Sequence, residues 1–171
     1  MRVAIYGTGG AGGYFGAHLA RTGEDVTFVA RGQHLKAIQA HGLCVETPVG
    51  EIVIHPAKAA DDPMQVGPVE AIFVGVKAWQ VEEAARNMQP MVGPQTLVVP
   101  LQNGVEAPSQ LGAILGPGRT CWAAFAEQSA GWWLRAGSAI LEPQISLSSE
   151  NWITDAASVQ RDCVKRLRKP V

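Results

Sequence analysis

Val3-Ala4-Ile5-Tyr6-Gly7-Thr8-Gly9-Gly10-Ala11-Gly12, at the start of the chain, is the stretch whose reading decides the fold. Four apolar, β-prone residues run straight into a glycine-rich turn. Gly13 to Thr22 follows with helix-compatible residues, apolar at Phe15, Leu19 and Ala20 and closed by Gly23. Strand, glycine turn and helix in that order, with Gly7, Gly9 and Gly12 spaced as G-x-G-x-x-G, is the pattern of a βα unit that binds a dinucleotide. Gly7 would allow the tight turn, Gly9 would let the backbone approach a pyrophosphate, and Gly12 would let the helix pack close to the strand. Gly16, one turn on, keeps that packed face free of a Cβ. The unpaired N–H groups at the helix start would face the anion, helped by the helix dipole. Gly7, Thr8, Gly9, Gly10, Ala11 and Gly12 are therefore candidate cofactor-binding positions. The spacing alone recurs by chance roughly 0.2 times in a chain this rich in glycine, so its place between a first strand and a helix carries the reading.

Composition narrows the class. The chain has 171 residues, 47% of them apolar and 17% charged, with a mean hydropathy of +0.06, which suits one well-buried globular domain rather than disorder. Fourteen basic and 15 acidic side chains nearly cancel, so no field directs it to nucleic acid. Cys44, Cys121 and Cys163 show no C-x-x-C spacing and read as structural thiols of a reducing cytosol. The apolar run at Val3–Tyr6 is far too short for a signal peptide core, and no stretch approaches the ~20 apolar residues of a membrane span. A cytoplasmic protein without membrane partners is the expectation.

Outward from the glycine turn, strands and helices alternate. Asp25 to Ala30 reads as the second strand and His34 to Ala40 as a short helix stopped near Gly42. Leu43 to His55 reads as two β segments around Pro48-Val49-Gly50. Ala71 to Val76 is a continuous apolar run, as in a strand buried on both faces. A helix over Val81–Met91, a strand over Thr96–Leu101 and a helix over Pro108–Leu115 complete the alternation. The fold class is therefore α/β, a Rossmann-type doubly wound, mostly parallel sheet. Arg119 to Leu147 is expected to add antiparallel strands at the sheet edge, with Trp122, Trp132 and Trp133 crowded there. Residues 1–150 form the expected nucleotide-binding domain, and residues 151–171 a helical tail. The tail's cations Arg161, Lys165, Arg166, Arg168 and Lys169 suit a helix C-terminus.

The end of the second strand chooses the nucleotide. Sites for NAD and FAD usually place Asp or Glu there to bond the ribose 2′-hydroxyl. This chain reads Ala30-Arg31-Gly32, with His34 and Lys36 close behind. A carboxylate would repel a 2′-phosphate, whereas a guanidinium binds one through charge-assisted, bidentate contacts. Arg31 thus points to NADP, and away from NAD, FAD and S-adenosylmethionine. Two further strand ends carry polar groups where ligands of doubly wound sheets bind: Lys77-Ala78-Trp79-Gln80 after Val76, and Gln102-Asn103-Gly104 after Leu101. Lys77 could meet the cofactor or a substrate carbonyl, and Asn103 a substrate hydroxyl or carboxylate. His18, His34, His41 and His55 form no catalytic or metal set and read as surface or capping residues.

On Gly7-Thr8-Gly9-Gly10-Ala11-Gly12-Gly13-Tyr14-Phe15-Gly16, Ala30-Arg31-Gly32, Val76-Lys77-Ala78-Trp79-Gln80 and Leu101-Gln102-Asn103-Gly104-Val105, the chain resembles the ketopantoate reductase (2-dehydropantoate 2-reductase) family. The resemblance is clearest to about residue 118. It implies NADPH-dependent reduction of ketopantoate to pantoate in pantothenate and coenzyme A synthesis. It would give Arg31 the 2′-phosphate, Lys77 a cofactor and active-site contact, and Asn103 a cofactor or substrate contact. Lys77 and Asn103 are accordingly the candidate catalytic residues, and a small 2-oxo acid the candidate substrate. The family continues into a helical domain that holds its catalytic lysine, a domain expected to be absent here. The face it would cover predicts self-association or poor solubility. Two other readings stay open: a non-catalytic NADP-binding protein, and a related NADP-dependent oxidoreductase acting on another 2-oxo or 3-hydroxy acid.

Overall fold

The structure is a computed structural model that describes residues 1–47, 50–103 and 105–116, together with the backbone of three later strands. Strand β1 (Arg2–Tyr6) leads into α1 (Gly10–Arg21), β2 (Asp25–Val29) and α2 (Gly32–His41). A hairpin of β3 (Leu43–Thr47) and β4 (Gly50–Ile54) precedes β5 (Lys58–Ala60) and a single turn, α3 (Pro63–Val66). Then come β6 (Val69–Val74), α4 (Val81–Asn87), β7 (Val92–Pro100) and α5 (Glu106–Leu115). The main sheet has the order β5-β2-β1-β6-β7, and every pairing in it is parallel. The chain therefore winds outward from β1 in one direction and then reverses to β6, leaving a switch point between these two strands.

Alternation along β1 divides the core. Val3 and Ile5 face one layer, where α1 brings Ala17 and Leu19, α2 brings Leu35 and Ile38, and the hairpin adds Leu43 and Ile52. Ala4 and Tyr6 face the other, where Val81, Ala84, Ala85 and Met88 meet Ala107 and Leu111 of α5. A strand covered on both faces needs apolar residues at every position, hence the unbroken runs at Val3–Tyr6 and Ala71–Val74.

The structure corrects several boundaries. Helix α1 begins at Gly10 rather than Gly13, because the glycines after Gly9 are already helical, a role that their low helix propensity conceals. The third parallel strand, β5, is absent from the sequence reading. It is three residues long with no apolar run, and its place depends on pairing with Thr27, Phe28 and Val29. The expected helix over residues 81–91 ends at Asn87, and Pro90 sits in a separate 3₁₀ turn at Gln89–Met91. Strand β7 starts four residues early, at Val92, and runs through the Gly93-Pro94 pair.

Beyond these, β8 (Cys121–Ala124), β9 (Trp133–Ala136) and β10 (Ala139–Leu141) are antiparallel, in the order β10-β9-β8. They pair as a sheet of their own. The expected helical tail over 151–171 and the side chains of Trp122, Trp132 and Trp133 lie outside the described residues. Among those residues no helix is long and apolar enough to cross a membrane, and no cluster of side chains could hold a metal ion.

Candidate functional site

The carboxyl ends of β1, β2 and β6 open into a cleft of about 350 Å³ at the switch point. Open α/β sheets place their ligands at this position. Gly7, Thr8 and Gly9 form its floor, Val29, Ala30 and Arg31 one wall, and Gly75, Val76 and Lys77 the other.

Three glycines allow this geometry, and two of them touch through a third. Gly7 adopts φ +95°, a left-handed conformation that side chains resist. A Cβ on Gly12 would overlap the Gly7 carbonyl oxygen, and one on Gly75 would lie 2.6 Å from that oxygen and 2.9 Å from the Gly12 Cα. Helix α1 can start directly above the exit of β6 only because both positions lack a side chain. Gly9 differs, since a Cβ there would meet nothing within 4 Å. Its missing side chain leaves open the space over the loop.

The loop is tied down from two sides. The Gly7 N–H and the Thr8 hydroxyl both donate to the Val29 carbonyl at 3.2 Å, fastening the loop to the end of β2. His34, on the first turn of α2, donates from Nε2 to the Thr8 carbonyl at 2.7 Å, which fixes the proton on that nitrogen because a carbonyl only accepts. Above the loop, α1 starts with no side-chain cap and no acidic residue in its first turn. Its first N–H groups and the positive end of its dipole are thus available to an anion. The gap over Gly9 and these uncapped donors fit a pyrophosphate, on the geometry of this chain alone.

On the rim, Arg31 and Lys77 bring positive charge and Glu83 of α4 brings negative charge. Arg31 Nη1 lies 3.9 Å from Glu83 Oε1. Gln80 accepts from the Lys77 backbone N–H at 3.2 Å and closes the turn after β6. Beneath it, the buried Gln102 donates from Nε2 to the carbonyls of Val74 (2.9 Å) and Val76 (2.7 Å), holding the end of β6 that presents Lys77.

The sequence-derived site residues are thus gathered in part. Gly7, Thr8, Gly9, Arg31 and Lys77 line one cleft. Gly10 faces a groove on the far side of the loop with Tyr14, His34 and Cys44, Ala11 is exposed, and Gly12 is buried below. Asn103 is exposed beyond β7 and does not line the cleft. Gly75, Gln80, Glu83, Gln102 and the anchoring role of His34 were missed. Only Gln80 and Gln102 carried a signal, as polar neighbours of the chosen Lys77 and Asn103. Away from the cleft on α1, burial raises the Tyr14 pKa, and burial together with the Arg21 charge lowers that of His18.

Comparison with known proteins follows the same lines. The family model described as Ketopantoate reductase PanE/ApbA matches residues 3–134. A 2-dehydropantoate 2-reductase of Mesorhizobium japonicum is 40% identical over 106 residues, covering 61% of this chain and 32% of that protein. The crystal structure of a PanE/ApbA family ketopantoate reductase from Ralstonia eutropha JMP134 is 35% identical with a TM-score of 0.64, over 72% of this chain and 42% of that one. D-mandelate dehydrogenase, solved with NADH and anilino(oxo)acetate, shares the fold at 23% identity and a TM-score of 0.66, over 72% of this chain and 40% of that one. The chain spans 32–36% of the length of the first curated relatives that it matches.

Proposed function

This chain belongs to the ketopantoate reductase PanE/ApbA family, and we propose that it binds NADPH in the switch-point cleft for the reduction of ketopantoate to pantoate, in a cytoplasmic setting. Residues 1–150 are then the nucleotide-binding domain. The observation that carries this reading is Arg31, a cation on the cleft rim at the end of β2, where NAD-type sites hold an acid. The uncapped start of α1 would take the pyrophosphate through its N–H groups, with Gly9 clearing the approach. Arg31 would take the 2′-phosphate in charge-assisted hydrogen bonds.

When bound, NADPH supplies the hydride. The chain's own task is to hold the nicotinamide end and the ketone in register, and to offer a donor to the oxygen that gains charge. Lys77 is the candidate donor within the cleft, placed by Gln80 and Gln102. Asn103 would act from the end of β7 on substrate or cofactor. Its position outside the cleft lining supports a second reading, in which the chain binds the dinucleotide without turning over a 2-oxo acid.

Fluorescence titration with NADPH and NADH, followed by ketopantoate in the same cuvette, separates these readings. Preferential NADPH binding followed by oxidation supports the reductase. NADPH binding without oxidation supports the second reading, and oxidation only with a different 2-oxo acid moves the substrate assignment. Failure to prefer NADPH removes the role given to Arg31.

A further inference from the structure

We infer that Glu83 is a specificity-determining residue of the cleft, a counter-charge on Arg31 that limits how strongly the site prefers the phosphorylated dinucleotide. This rests on Arg31 being the partner of the 2′-phosphate.

Glu83 lies in the first turn of α4, and its side chain reaches across the cleft to Arg31 at the start of α2, with Oε1 3.9 Å from Nη1. Both side chains are 66% exposed, so the pair is free to exchange partners. Its neighbour Glu82 behaves differently: it stays on its own helix and pairs with Arg86 at 3.0 Å, one turn on. Arg31 also borders a second groove, in which Asp61 and Asp62 precede α3 and no other cation takes part in the lining. Arg31 thus borders acidic residues in two grooves, and Glu83, the one paired with its guanidinium, is on the side that the dinucleotide would occupy.

A 2′-phosphate brings a charge of roughly −1.5 to −2 to this point. To bind Arg31 it must displace Glu83 or share the guanidinium with it, and the carboxylate remains close by in either case. Two effects then oppose one another. Glu83 holds Arg31 over the cleft, which prepares the site, and it repels the incoming phosphate. An exposed pair at this distance orients an arginine only weakly. The repulsion acts on nearly two charges, so it dominates. A dinucleotide without the 2′-phosphate brings no charge to this spot and is largely indifferent to Glu83.

The test is the ratio of NADPH to NADH affinity, measured on the full chain by fluorescence titration at low and high salt. Glu83→Gln is expected to tighten NADPH about three- to tenfold and to change NADH less than about twofold, with the gain shrinking at high salt as screening sets in. Glu82→Gln, the same charge change one residue away, is expected to leave the ratio unmoved. Arg31→Ala is expected to weaken NADPH at least about tenfold and to spare NADH. If Arg31→Ala acts as expected but Glu83→Gln leaves the ratio unchanged or weakens NADPH, the role of Glu83 is refuted and the NADPH reading stands. An equal gain from Glu82→Gln also refutes it, since general charge would then explain the effect. If Arg31→Ala leaves the ratio unchanged, the NADPH reading falls and the inference falls with it.

Discussion

Gly12 and Gly75 meet where the start of α1 crosses the end of β6, with the position of a Gly75 Cβ lying 2.9 Å from the Gly12 Cα. Neither residue can gain a side chain without moving backbone, because the atoms in the way belong to the glycine loop itself. One of these glycines belongs to the fingerprint that the sequence displays, and the other lies just past the end of the apolar strand β6.

Gly75→Ala is expected to destabilise the protein by about 2–3 kcal/mol, the scale of an overpacked site that cannot relax cheaply. Gly9→Ala meets no atom within 4 Å and is expected to leave stability nearly unchanged. It should weaken dinucleotide binding instead, by about tenfold (~1.4 kcal/mol), because its methyl occupies the approach. Urea unfolding and fluorescence titration of both variants check this. Loss of stability in Gly9→Ala would show that its space is needed by the fold.

Gln102→Leu removes the amide that donates to the Val74 and Val76 carbonyls. The Leu101 N–H still donates to Val74, so the Val76 carbonyl loses more. A cost of about 1–3 kcal/mol is expected for leaving a partly buried acceptor unmade. NADPH affinity should fall as well, through displacement of the segment that carries Lys77. A variant with the expected stability loss but unchanged affinity would confine Gln102 to a structural role.

Leu111→Ala serves as the contrast. Leu111 is fully buried between α5 and the sheet, away from the cleft. Its truncation should cost about 2–5 kcal/mol and leave the NADPH-to-NADH ratio intact. Thermal unfolding and the same titrations decide it.

His18 predicts a pH dependence of stability. Burial, and then the charge of Arg21, lower its pKa in the folded protein, and its Nε2 is buried without a hydrogen-bond partner. The folded state therefore binds this proton less readily than the unfolded chain, and the contribution of His18 is complete above the ordinary histidine pKa of ~6.5. It is lost as the pH falls from there toward the depressed folded value. His18→Gln should flatten the stability profile on this acid side, and denaturant midpoints between pH 7.5 and 5 would show it. An unchanged slope would assign that loss to other groups.

Long, two-sided strands were legible because burial on both faces forces unbroken apolar runs, as at Val3–Tyr6 and Ala71–Val74. The short strand Lys58–Ala60 was not, since nothing in Lys-Ala-Ala marks an edge strand until β2 is there to pair with it. The glycine fingerprint and Arg31 were visible as residue types at fixed offsets along one chain. Glu83 was not, because it is 52 positions from Arg31 and meets it only through the winding of the sheet.

By itself the sequence determined the α/β class, the glycine turn at the end of the first strand and the cation at the end of the second. These depend on local chemistry: side-chain period, backbone freedom and charge. Only the tertiary structure decided that Gly75 completes the turn, that Gln102 holds the strand end under Lys77 and that Asn103 stands outside the cleft. Those relations join separate strands, and no local propensity records which residues a parallel sheet will set side by side at the point where its winding reverses.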